Sequence, residues 1–254
     1  MFGAIFRASV AFLFVAMAAS ASAATADDLK LFTEEYPPLT FSRDGAATGL
    51  DTEVVEEIMR RLGITAKIEV VPWARGYKLV LNAPNVGLFA TTRTPEREKL
   101  FKWVGPISAT TAHFYSLRGG ARFESLDRAR SAERILIPRE WYLEQMLRDM
   151  GFTNIYTVSA PIEAVRMLVG KRAPLMALDD ITLADTLSAG GVDPQLIEPG
   201  VLISQAVQYI AFSSDAPDTM IARWQKALDD MKSDGSFDRL YEKWLPGVTP
   251  PGRR

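Results

Sequence analysis

From Leu29 onward the chain alternates short β-rich runs with amphipathic helical stretches, and it goes through that layout twice. Such alternation confines it to α/β architecture. The first round runs from a strand at "LKLFT" (29–33) to the helix "LDTEVVEEIMRRLG", where Leu50, Val54, Ile58 and Leu62 recur at helical spacing and Gly63 is the stop. "AKIEVV" alternates as a strand, "WARGYKLVL" reads as a helix after Pro72, and "VGLFA" as a buried strand. The second round places strands at "RILI" (134–137), "NIYTV" and "PLMAL" (174–178), with helices at "EWYLEQMLRDMG" and "PIEAVRMLVG" between them. A strand at "AVQYIAF" and two helical segments, "PDTMIARWQKALDDMKSDG" and "SFDRLYEKWL", close the chain. The two rounds share a layout without being sequence repeats.

Residues 1–23 stand apart from this pattern. Arg7, an apolar run from Ala8 to Ala19 and the Ala21-Ser22-Ala23 cleavage pattern predict a secretory signal peptide. The later chain offers no run near the roughly 18 to 20 apolar residues of a membrane span. The peptide holds one charged residue, so the mature chain keeps 28 basic against 31 acidic residues, with no basic stretch that would invite nucleic acid. With no cysteine there is neither a disulfide nor a lipid-bearing thiol, and a single histidine, His113, argues against a zinc site. These features predict a free, monomeric, metal-free periplasmic protein whose partner is a small molecule.

Two stretches at strand ends suggest where that molecule goes. In "ATTRTPERE" (90–98), Thr94 reads as an N-cap and Pro95 as the first helical residue, which puts Arg97 in the first turn of a helix. A cation at that positive end is disfavoured by roughly 0.3 to 1 kcal/mol unless an anion joins it. Asp179-Asp180 ends "PLMAL" in the same way. Ligands of open α/β sheets bind beyond the carboxyl ends of the strands. From the residues alone, Arg97 also suits a surface ion pair with Glu96 or Glu98. Asp179 and Asp180 each suit a helix cap, and Tyr36, Trp73 and Trp141 suit packing.

Five segments in order, "YPPLTF", "GLDTEVVEEIMRRLG", "PWARGY", "TTRTPEREKLFKWVGPI" and "ALDDMKSDGSFDRLYEKWLP", resemble the periplasmic solute-binding proteins of family 3, which deliver polar amino acids to ABC transporters. The resemblance covers essentially the whole mature chain. It implies two α/β lobes joined by two crossover strands, the first of residues 27–110 plus 206–254 and the second of 111–205, with a ligand held in the cleft and hinge closure around it. In the same way it implies that Arg97 clamps a ligand α-carboxylate and Thr92 adds a hydroxyl. Tyr36 and Trp73 become aromatic walls, and Asp180 takes the α-ammonium.

Arg93, Trp141 and Glu34 are further candidates without a family role. Glu34, like Glu35, is suited to a cationic ligand end. The chain departs from the family at "LIPREWYLE", where Arg139, Glu140 and Trp141 stand in place of a Gly-Ser or Gly-Thr pair.

The expected function is therefore a non-enzymatic receptor, without cofactor, for a zwitterionic or cationic amino-acid-like ligand, working with an ABC permease. A cyclohexadienyl-dehydratase-like enzyme and a sensing module for a membrane histidine kinase are the alternatives on the same fold. No G-x-S-x-G elbow, cysteine nucleophile, Walker loop or G-x-G-x-x-G motif is present.

Overall fold

The computed structural model describes residues 29–252, so the predicted signal peptide lies outside it. The chain opens with β1 (Lys30–Thr33), a small hairpin of β2 (Phe41–Arg43) and β3 (Ala46–Thr48), and α1 (Leu50–Leu62). It continues with β4 (Ile68–Val70), α2 (Trp73–Asn82), β5 (Val86–Thr92) and the long β6 (Phe101–Leu117). The second round comprises α3 (Leu126–Arg130), β7 (Ile135–Pro138), α4 (Tyr142–Asp149), β8 (Ile155–Val158), α5 (Pro161–Val169), β9 (Leu175–Asp179) and α6 (Asp180–Gly190). A second long strand, β10 (Ile197–Ser213), leads to α7 (Asp218–Ser233) and α8 (Ser236–Trp244). No helix among the described residues is long and apolar enough to cross a membrane.

The main sheet runs β4-β1-β5-β10-β6-β9-β7-β8. Its two ends are parallel, as βαβ connections require, whereas its middle is antiparallel. β6 and β10 pair from Phe101↔Ser213 to Leu117↔Ile197 and so run through both halves. β5 joins β10 at Gln208–Phe212, and β9 joins β6 at Ala112–Tyr115. One half therefore hangs on one end of this ribbon and one on the other, and the register shifts along it mark where it bends.

Each half buries its own apolar face. In the first, α1 presents Leu50, Val54, Val55 and Ile58 to the sheet at the helical spacing seen in the sequence, and Gly63 ends it in the left-handed conformation. Phe114, Leu143, Leu147 and Phe152 do the same work in the second. The C-terminal helices return to α1: Lys243 pairs with Glu53, Arg61 with Asp234, and the Tyr241 hydroxyl donates to the Ile107 carbonyl at 3.0 Å. Trp224 of α7 is fully buried, edge-on to Phe212 with ring centres 5.0 Å apart.

One local expectation fails. No helix starts at Thr94; residues 95–100 form consecutive turns, with Arg97 N–H donating to the Thr94 carbonyl and Leu100 N–H to that of Arg97. The reason is positional: Phe101 is already committed to the ladder with Ser213, which leaves no length for a helix. The positive helix end that was to explain Arg97 does not exist, and its environment must be explained otherwise.

Because Trp224 fills the space between the ribbon and α7, Trp224→Ala should destabilise the protein by about 3 to 5 kcal/mol. Denaturant unfolding checks this, and a loss under about 1 kcal/mol would show that the C-terminal helices are not integral to the first half.

Candidate functional site

The cleft between the halves is built from strand ends. β1 delivers Glu34 and Tyr36, and β5 delivers Thr92 and the turns that carry Arg97. Pro138 ends β7 just before Glu140 and Trp141, and β9 ends on Asp179. Trp73 begins α2, and Gly76 lets that helix lie close on the sheet, since a β-carbon there would come within 2.9 Å of Leu88 Cδ1. Tyr77, one helical turn after Trp73, stacks on it with ring centres 5.6 Å apart.

Arg97 turns inward onto that pair. Its guanidinium carbon lies 5.3 Å from the Trp73 ring centre and 5.1 Å from that of Tyr77, and the residue is 7% exposed. Aromatic faces stabilise a desolvated cation in this arrangement. Nη1 donates to the Thr92 carbonyl at 3.4 Å and Nη2 to the Glu140 carbonyl at 3.3 Å. Glu34 and Glu96 act on it only through the field, and no ion pair to Arg97 forms among the described residues. Burial works against its charge, yet a guanidinium stays protonated.

The acidic side lies opposite. Trp141 Nε1 donates to Glu34 Oε2 at 3.0 Å, and the Tyr142 hydroxyl to Asp179 Oδ1 at 2.7 Å. Burial, with Asp179 in its field, pushes Glu34 up to about 8 against the Trp141 N–H, while burial pushes Asp179 up to about 6 against the hydroxyls around it, with Asp180 adding to the rise. Asp179 Oδ2 and the Tyr36 hydroxyl are buried beside each other, the phenol helping to hold the acid's pKa down and the carboxylate raising the phenol's.

The departure from the family at residues 138–142 takes physical form here. Glu140 has φ 63°, its N–H donates to Glu144 Oε2 at 2.7 Å, and its carbonyl accepts from both Arg97 Nη2 and Trp73 Nε1, the latter at 2.8 Å. Trp141 meets Tyr36 edge-on at 5.3 Å. Ala90, also at positive φ, lines the same box. Non-glycine residues in this region cost roughly 1 to 3 kcal/mol each, and two at one site are characteristic of a functional cleft. With the halves closed in this way the central box keeps about 20 Å³, flanked by cavities of about 490 Å³ beside Arg97 and about 370 Å³ beside Glu34 and Arg139.

Of the residues named from sequence, Glu34, Tyr36, Trp73, Thr92, Arg97 and Trp141 converge on the box. Thr92 does so with its carbonyl turned to Arg97, because its hydroxyl is spent on Gln208 Oε1 at 2.9 Å. Arg93 sits on the rim in a bidentate pair with Glu98, over the rings of Trp103 and Tyr209. Asp180 is turned away from the box. As the first residue of α6 it accepts from the Tyr115 hydroxyl at 2.7 Å and lies 2.7 Å from His113 Nδ1. Its neighbour Asp179 holds the N-cap position without capping, which leaves that carboxylate free to face the box. Tyr77, Tyr142 and Gln208 are the site residues that sequence reading missed. A tyrosine one turn after Trp73 was the available signal for the first.

Known proteins share the fold. A probable amino-acid ABC transporter-binding protein of Haemophilus influenzae is 24% identical over 227 residues, covering 83% of this chain and 81% of its own length. A histidine kinase sensor domain with similarity to periplasmic binding proteins superposes with TM-score 0.80 at 16% identity, covering 89% of this chain and 99% of that one. An ancestral arginine-binding protein bound to arginine superposes at 0.74 with 19% identity, covering 85% and 97%. Residues 29–247 match the family model for bacterial extracellular solute-binding proteins, family 3, and the chain belongs to that family.

Proposed function

We propose that the protein is a periplasmic receptor that captures an amino-acid-like solute, zwitterionic or cationic, between its two halves and presents it to an ABC permease. The observation that carries this is a buried guanidinium without a carboxylate partner, sharing one aromatic box with the buried Asp179 and the half-buried Glu34. A ligand carboxylate replaces the Glu140 carbonyl on Arg97 with a charge-assisted, bidentate pair. A ligand ammonium meets Asp179 and Glu34, with Tyr36, Trp73 and Trp141 as flat faces. A neutral sugar would leave Arg97 and Asp179 buried without charged partners, at a cost of several kcal/mol. The name carried by the Haemophilus relative supports the same reading.

A second reading, a dehydratase on this fold, is favoured by Glu34. Raised to about 8, its carboxyl carries a proton at neutral pH and is a general acid in a cleft. Incubation with prephenate decides it: phenylpyruvate formation that Glu34→Gln abolishes would establish the enzyme, and unchanged prephenate would remove it.

Arg97→Ala should abolish amino-acid binding measured by calorimetry, and undiminished affinity would overturn the receptor reading. Asp179→Asn should weaken binding by about tenfold or more, near 1.4 kcal/mol, while Asp180→Asn, held by His113 and Tyr115, should change it by less than about threefold. The reverse ranking would return the ammonium contact to Asp180.

Glu34 also makes the system pH-dependent, and the sign follows from its raised pKa. Exposed, the carboxyl titrates near 4.5; sealed by Trp141 it titrates near 8, so closing without ligand takes up a proton between those values. This contribution to the closed form is fully present below about 4.5 and is lost as pH rises through about 8. A ligand ammonium favours the ionised carboxylate, so binding that displaces the self-closed, ligand-free form at pH 7 should release protons. Calorimetry in buffers of different ionisation enthalpy should register that release in the parent and a smaller one in Glu34→Gln.

A further inference from the structure

The closed cleft divides its space unevenly. The central box keeps about 20 Å³, room for about one water, whereas the cavity beside Arg97 has about 490 Å³, within the usual range for small-molecule sites. Arg97, Thr92 and Tyr142 stand in the walls of both. A carboxylate on Arg97 can therefore extend its body into the larger space while Trp141 stays in place.

That space has an apolar lining. Leu100 and Val207 are 41% and 37% exposed, large apolar side chains turned to solvent on the same cavity, and Met146, Met150 and Ala206 extend the apolar wall, while Gln145, Gln205, Glu96 and Asp149 supply its polar part. Methionines suit such a wall because they repack around varied shapes. Arg93, at its edge, is already neutralised by Glu98. The opposite cavity of about 370 Å³ has Glu34, Glu35 and Arg139 in its wall but not Arg97, so it offers no buried cation to a carboxylate.

We infer that the cavity between the 95–100 turns and α4 is the side-chain subsite of the receptor, and that it selects amino-acid-like solutes whose carboxylate carries an unbranched aliphatic or aromatic body over small ones. This rests on the receptor reading of Arg97 and names its ligand class.

Titration of the full mature protein with L-norleucine, L-phenylalanine, L-serine and L-arginine tests it, in the parent and in Leu100→Asp and Met146→Glu. Leu100 is exposed, so its variant should fold, and thermal unfolding without ligand checks both. Norleucine and phenylalanine should bind about tenfold or more tightly than serine, and each variant should lower norleucine affinity about tenfold. Norleucine affinity unchanged in both variants, or serine binding more tightly than norleucine, would sink the subsite and leave the receptor reading standing. Failure of all four to bind the parent would remove the receptor reading and the subsite with it.

Discussion

The antiparallel pairing of β6 with β10 is the constraint on which the rest depends. Every strand end that reaches the cleft is referred to that ribbon: β5 through its ladder with Gln208–Phe212, β9 through its ladder with Ala112–Tyr115. The buried Gln208 ties the ribbon to the site directly, accepting from Thr92 Oγ1 and donating to Thr110 Oγ1. A backbone ladder is stiff along its strands and compliant to bending and twist, particularly at bulges. The ribbon therefore fixes which residues oppose one another across the cleft while leaving the distance between them adjustable.

Within that frame the cleft separates charge. Arg97 is held on one side by ring faces and carbonyl oxygens, and Glu34 and Asp179 on the other by an indole N–H and a phenol. None of these partners neutralises its residue, so the closed form accommodates the acidic groups by raising their pKa values. Asp51, at the start of α1, is a fully buried carboxyl like Asp179, pushed up to about 7 by burial and held by the Ser108 hydroxyl beside the ribbon. It lies outside the cleft and belongs to the packing of α1 on β6.

Much of this was legible in the chain because periodicity reports burial. The Leu50, Val54, Ile58 and Leu62 stripe, the Gly63 stop and the buried run at 86–90 each appear where the spacing puts them. What sequence could not supply were choices made by distant neighbours. The turns at 95–100 exist because Phe101 is paired with Ser213, a partner remote in sequence. Asp179 and Asp180 both suit a cap, and their difference arises only where β9 gives way to α6, one carboxylate facing inward and the next outward. The burial of Glu34 depends on Trp141 arriving from the other half. The odd segment "PREWY" was visible as a departure, but not that its backbone would reach Arg97.

If the protein acts as the proposed receptor, the Glu140 carbonyl on Arg97 bears on how it communicates. A protein whose own backbone occupies the anion position can shut without cargo, so shape and occupancy cease to report the same thing. A solute then binds by exchange with an internal competitor, and its apparent affinity is scaled down by the fraction of molecules in which the competitor has let go. A transport complex that recognised only the shut outline would dock empty carriers alongside full ones. Faithful signalling would have to be read from the rim of the cleft, where an occupied carrier and a self-closed one differ.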